Sequence, residues 1–490
     1  MKKCKIFSAV LTLILSLSSL SGCEKNQNLD KLLNKDDPVT ITIWHYYNGV
    51  QQTSFDAMVD EFNNTVGLEK GIIVEASTKN SISELSKSII SSAKKEPGAD
   101  ELPNIFETYS ETAFVIDNLG MLADLSKYFT EDEINEYVDE YINEGKFSGD
   151  NSLKIFPTAK STEIMMLNLT DWQKFADATG ATFDDLKTLE GVAETAEKYY
   201  NYTDALTPDI ENDGKAFYGR DSMANYMSIG AKQLGGEFFP KDENNQTYLN
   251  LNKDVVKKLW DNYYIPYIKG YYASESRYRS DDVKIGSIIA LVCSTTGASY
   301  YPKEVTINDD YSYPIENVVL PAPQFEGCDP YIVQQGAGMS VIKSNEKLEY
   351  ASSVFLKWFT DSERNIEFSI NSGYLPVKKE ANNFEKISEI NSDSEKSVND
   401  ATMNAIKIAI DEINSCTLYT SMPFEKSAET RDILSDSIQN VATEDYKEIS
   451  QRIKNGEKRD KVLEEYTSDE YFENWFENFS ETLKQTMNEK

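Results

Sequence analysis

A single histidine, His45, serves a chain of 490 residues. Any Ser-His-Asp or Cys-His catalytic unit would have to be built on that one ring. No CxxC pair and no cluster of Cys with His offers zinc-ligand spacing. Arginine is sparse, seven copies among 49 basic residues, and 82 acidic residues outweigh them to a formal net charge of −33. Such a field repels nucleic acid and bare anionic lipid, so neither is an expected partner. Also missing are the G-x-S-x-G elbow, the P-loop, the dinucleotide glycine fingerprint and any repeat of roughly 20–50 residues. No cofactor is expected.

The N-terminus supplies a positive signal. Lys2, Lys3 and Lys5 precede an apolar stretch from Ile6 to Leu20, which meets Leu20-Ser21-Gly22-Cys23. The stretch is shorter than the roughly 20 residues that span a bilayer, and charge, apolar core and small residues together describe an export signal. Its ending resembles a bacterial lipobox, which implies cleavage before Cys23 and diacylglycerol on that thiol. An ordinary signal peptide with an incidental cysteine is the competing reading. Removing residues 1–22 takes three lysines with it and leaves −36. Residues 24–37 are polar and charged, and read with Cys23 as a tether. Cys293, Cys328 and Cys416 remain, an odd set that allows at most one disulfide and equally well none.

Beyond the tether, strands and helices alternate. Val39, Ile41 and Ile43 alternate with threonine in a strand over 39–44. Phe55, Met58, Val59 and Phe62 then follow helical spacing. A second strand is expected at 71–76, and Ser81 with Glu84 offers a capping box for a helix presenting Ile82, Leu85 and Ile89. A third strand is expected at 102–108. A β-α-β-α-β run argues for a parallel sheet with helices on its faces. Ligands in open α/β sheets bind beyond the carboxyl ends of the strands. Just past the first strand stand His45, Tyr46, Tyr47 and Asn48, and just past the third stand Tyr109 and Ser110. Two aromatic segments are thus expected on one rim.

A second α/β pattern starts with two short strands within 154–168. Helices follow at 172–178 and from Phe183 to about Tyr202, the latter opening on Thr182 and Asp185. The apolar run 286–293 reads as a buried strand followed by a small-residue loop at 294–299, and 316–323 as a strand stopped by prolines. Ala351, Val354, Phe355, Trp358 and Phe359 mark a helix, Thr360 with Glu363 a cap for the next, and Gly373 its stop. The last stretch of about 110 residues is expected to be mainly helical. Its final helix opens on Thr467 and Glu470 and turns Phe472, Trp475, Phe476, Phe479 and Leu483 to one face, for packing on the body.

In order, "ITIWHYYNG", "LPNIFE", "LGMLADLSKYF", "FPTAKSTEIMMLN", "TFDDL", "AKQLGG", "QQGAGMSVIKS", "ASSVFLKWFTDSE" and "GYLPV" resemble the ABC-transporter substrate-binding lipoproteins, the extracellular solute-binding family that includes maltose- and oligosaccharide-binding members. The likeness runs from Val39 to about Val377, and the acidic helical tail exceeds the pattern. It implies an α/β, two-lobed periplasmic-binding-protein fold with hinge and interlobe ligand cleft, and a helical C-terminal extension. Lobe one would be 38–155 plus 331–365, and lobe two 156–330 plus 366–490. The partners implied are a carbohydrate ligand and the transmembrane subunits of an ABC permease, with the membrane touched only through the lipid anchor. A monomer is expected.

Carbohydrates present apolar C–H faces to aromatic rings and hydroxyls to hydrogen-bonding groups. Trp44, His45, Tyr46, Tyr109 and Tyr374 supply rings, with Trp44 equally placed to be strand core and one of the successive pair His45 and Tyr46 bound to point outward. Asn48, Glu107, Ser110 and Asp221 supply polar groups. By the family pattern the segment holding Asp221 can reach the ligand, the competing role of Asp221 being a helix cap. By the same pattern Gln335 or Gly336 touches the ligand and Tyr374 faces the cleft, while Ser294 and Thr295 either offer hydroxyls or serve only their turn. The segment 209–214 starts like a calcium loop but carries Arg220 where the twelfth-position glutamate belongs, so no metal is expected. The 82 acidic residues leave a two-carboxylate glycoside hydrolase open, as they do a surface lipoprotein without a small ligand. A Lys/Asn/Ile-rich composition points to a Gram-positive source and the outer face of the cytoplasmic membrane.

Overall fold

The computed structural model describes residues 29–488, apart from 245, 394–397 and 399. The export signal and Cys23 lie outside the described residues. In chain order the strands are β1 (Val39–His45), β2 (Ile72–Thr78), β3 (Ile105–Thr108), β4 (Phe156–Pro157), β5 (Glu163–Asn168), β6 (Tyr218–Arg220) and β7 (Ala290–Ser294). They continue as β8 (Glu304–Asn308), β9 (Tyr311–Pro314), β10 (Asn317–Pro321), β11 (Tyr331–Val333), β12 (Gly338–Val341) and β13 (Thr417–Tyr419).

The chain divides into two compact units. The first runs to Lys160 and adds Ala337–Ser372 and Pro376–Asn383; the second is Ser161–Gly336, Gly373–Leu375 and everything from Phe384 on. These changeovers differ from the expected 155/156, 330/331 and 365/366 for local reasons. β11 pairs in parallel with β13 of the second unit, which holds 331–333 there. Helix Ser362–Ser372 stays with the first unit, because Phe368 packs on Tyr47 at 5.3 Å.

The first unit is built on a five-stranded sheet in the order β2-β1-β3-β12-β4. β1 runs parallel to β2 and β3, and β12 runs antiparallel to β3 and β4. β3 is shorter than expected. Pro103 has no N–H to give a ladder, and the Asn104 side chain instead accepts from the Thr42 N–H at 2.9 Å. Helix Gly49–Asn64 buries Phe55, Met58, Val59 and Phe62, the face the spacing marked. Helix Ile82–Ala93 is capped by Ser81, whose hydroxyl accepts from the Glu84 N–H.

The second unit holds a four-stranded sheet ordered β10-β5-β7-β6, with β5 antiparallel to both neighbours and β6 parallel to β7. The helix expected from Phe183 is split. Thr182 and Asp185 cap only a 3-10 turn at Phe183–Leu186, and Thr188 caps the helix proper, Leu189–Asp204. Thr360 does not cap the helix after it, since its hydroxyl donates back to the Leu356 carbonyl at 2.7 Å. Gly373 ends that helix at φ +74°; a Cβ there would lie 2.9 Å from the Thr296 Cα, so only glycine fits. The final helix, Asp469–Asn488, is capped by Ser468 rather than Thr467. Phe472, Phe479 and Leu483 join the core of the second unit, with Trp475 and Phe476 packed against it.

Candidate functional site

Within the first unit, the pleat decides where the expected rim residues point. Ile41, Ile43 and His45 share one face of β1, and that face is core. His45 is 1% exposed, with its ring 4.9 Å from Phe55 and 5.4 Å from Tyr47. Burial pushes its pKa down to about 4, so the ring is neutral near pH 7. It is a core residue, not a rim residue. Trp44 faces the other way and is 7% exposed, packed with Leu85, Phe106 and Ile116 under the Lys79 ammonium. Ser110 is also buried. Tyr46 and Tyr109 are half-buried, and Asn48 is exposed ahead of helix Gly49–Asn64. Tyr46 donates its backbone N–H to Glu107 at 3.0 Å.

Glu107 is 2% exposed. Desolvation pushes its carboxyl up to about 8 against hydrogen bonds from Tyr47 and the Tyr46 N–H. A proton is therefore held more tightly in the folded state. Its stabilising contribution is full below the ordinary value of 4.5 and is lost as the pH rises through about 8. Glu107→Gln should therefore flatten the alkaline decline in stability relative to wild type. Urea midpoints at about pH 5 and about pH 9 check this, and parallel declines in the two proteins would refute it.

The second unit gathers a polar cluster from four distant segments. Glu163 opens β5 and pairs with Arg220 at the end of β6 at 2.6 Å, both nearly buried. The Asn225 amide, 2% exposed, donates to Glu163 and to the Gln335 side chain, each at 2.9 Å. Its carbonyl oxygen accepts from the Arg431 guanidinium at 2.9 Å. Arg431 is exposed, on helix Ser427–Lys454. Gln335 is fixed by reciprocal backbone bonds with Ser161, at 2.9 and 3.0 Å, and Gly336 turns the chain at φ +93°. Glu163, Arg220 and Asn225 of this cluster, with Thr162, Gln233 and Tyr331, help line a cavity of about 30 Å³. That is room for about one or two waters.

The other expected residues of this unit have local duties. Asp221 accepts from the Arg279 N–H at 2.9 Å, and Arg279 pairs with fully buried Asp282. Ser294 caps the 3-10 turn Thr295–Tyr300, Thr295 is fully buried, and Tyr374 is buried beside Gly373. The sequence reading named neither Glu163 nor Arg431 as a site residue. Arg431 lies 206 positions from Asn225, and no local pattern joins them. Among the described residues, no group of three or more His, Cys, Asp or Glu is placed to hold a metal ion. No helix there is long and apolar enough to cross a membrane.

Residues 57–398 match the family model of the bacterial extracellular solute-binding proteins. The chain belongs to that family. No curated protein matches this solute-binding protein, but solved structures share its α/β fold. UgpB from Mycobacterium tuberculosis, in complex with glycerophosphocholine, aligns at TM-score 0.66 and 16% identity over 92% of this chain and 99% of that one. The cyclic alpha-maltosyl-1,6-maltose binding protein from Arthrobacter globiformis aligns at 0.62 and 18%, over 87% and 96%. Lmo0181 from Listeria monocytogenes, in complex with cycloalternan, aligns at 0.62 and 16%, over 91% and 99%.

Proposed function

We propose that this solute-binding protein captures an extracellular carbohydrate and delivers it to the transmembrane subunits of an ABC importer, without chemistry on the ligand. The observation that carries the reading is the cluster of Asn225, Gln335 and Arg431, presented by a chain of this family with its polar groups held in fixed directions. Amides and guanidinium groups are the donors and acceptors that hydroxylated solutes need, and a pre-arranged set lowers the ordering cost of binding. Glu163 is poorly suited to acid–base catalysis, because Arg220 and Asn225 hold both its oxygens. Tyr46, Asn48 and Tyr109, the expected rim residues of the first unit that keep some exposure, are proposed to supply its ligand contacts. The lipobox supports anchoring through Cys23 to the outer face of the cytoplasmic membrane.

Thermal-shift measurements against neutral, acidic and phosphorylated mono- and oligosaccharides test the reading. A binder at 100 times its Kd should add ~2.7 kcal/mol and be recovered unchanged after incubation. If no member of the panel raises the melting temperature, carbohydrate capture is wrong. Turnover of an oligosaccharide would instead make the protein a hydrolase.

A further inference from the structure

The ligand class follows from how the charges around this cluster cancel, and the inference rests on reading the cluster as the ligand site. Four of the seven arginines are ion-paired: Arg220 with Glu163, Arg279 with Asp282, Arg364 with Glu61 and Asp361, and Arg452 with Glu457 and Glu465. Arg459 donates to the Lys269 carbonyl, and Arg277 lies over the Tyr278 ring. Arg431 has no carboxylate partner among the described residues; its bond runs to a neutral amide that is itself buried and saturated. Glu163 and Arg220 cancel, and Asp221 shares the Arg279 guanidinium with Asp282. Glu412, the other buried acid interacting with Glu163, is held largely neutral near pH 7, its carboxyl pushed up to about 8 by burial. In a chain of net charge −33, Arg431 thus brings to this cluster a guanidinium that no carboxylate among the described residues engages.

A guanidinium has five N–H donors in a fixed fork that matches carboxylate and phosphate oxygens, and Asn225 uses only part of that fork. We infer that Arg431 anchors an oxyanion, a phosphate monoester or a carboxylate, on an otherwise hydroxylated ligand. Asn225 fixes the direction of the fork, and Gln335 is left to meet hydroxyls beside it.

Titration calorimetry on the full chain, with matched probes at low and moderate salt, tests this. The probes are glucose against glucose 6-phosphate and glucuronic acid, and glycerol against glycerol 3-phosphate. An anionic probe should bind at least about 10-fold tighter than its neutral match, the size of one charge-assisted hydrogen bond. The preference should shrink as salt is raised. Which anion wins separates phosphate from carboxylate. Arg431→Gln should bring the ratio to about one with an unchanged melting temperature, since the side chain is exposed, and Arg431→Lys should keep part of the preference. Equal or tighter binding of the neutral probe, or a preference that survives Arg431→Gln, overturns the anionic anchor while leaving solute binding intact. Absence of binding by any probe overturns the site itself and the inference with it.

Discussion

Replacing Arg220 with methionine is expected to cost the second unit about 3–5 kcal/mol, because it leaves the Glu163 carboxylate buried and unpaired. The two side chains meet at 2.6 Å and are 5% and 11% exposed. Methionine keeps much of the apolar stem that packs below the Tyr226 ring, where the guanidinium now lies 5.1 Å from its centroid. The loss would therefore be charge more than volume. The double variant Glu163→Gln/Arg220→Met should recover most of the stability, since removing both charges removes the desolvation penalty. Urea unfolding followed by tryptophan fluorescence reads the effect, as Trp172, Trp260 and Trp475 all lie in this unit. Binding should not recover in the double variant to the same extent. Glu163 holds the Asn225 amide in the orientation that turns its oxygen toward Arg431. A single variant as stable as wild type would mean the pair is hydrated and the cluster is not fixed.

Stability and the site are thus set by the same contacts, and this explains what could be read in advance. Elements whose cause is local were legible. Phe55, Met58, Val59 and Phe62 fix the inner face of their helix, Ser81 caps where its hydroxyl can reach Glu84, and Gly373 stops where φ must be positive. His45 was misplaced although the pattern held the answer. Two-residue alternation from Ile41 through Ile43 puts position 45 on the core side, provided the strand continues one residue past Trp44, as it does. With the strand taken to end at Trp44, either His45 or Tyr46 could point outward; with the strand continued through His45, Tyr46 is the one that keeps exposure. Competing caps misled in the same local way: Thr182 and Thr188 are both sound N-caps, and only the packed structure shows that the first serves a single turn. β13 is three residues long, and its reason to be extended is β11, 86 positions earlier in register. Arg431 is the extreme case, since nothing within its own helix marks it as different from other exposed arginines.

The tail that carries Arg431 should prove inseparable from the second unit, and Trp260→Ala is the variant that shows it. Trp260 is 1% exposed in helix Lys253–Ile268. Its ring stacks on Tyr264 at 3.7 Å and meets Trp475 at 4.5 Å and Phe472 at 5.8 Å. Both latter residues belong to helix Asp469–Asn488. Truncating a buried aromatic to alanine typically costs about 3–5 kcal/mol, and here the cavity opens at the joint between that helix and the body. Tyr264 and Tyr471 both donate to Asp445 on helix Ser427–Lys454, and Trp475 donates to the Ser437 carbonyl of the same helix. Loosening the last helix should therefore loosen the one that presents Arg431. The expected result is a lower urea midpoint, limited proteolysis within 455–490 that wild type resists, and weaker binding of any anionic ligand with less change for neutral ones. A cost below about 1 kcal/mol with unchanged proteolysis would show instead that the terminal helix rests on the unit without belonging to its core, and that Arg431 is positioned by Asn225 alone.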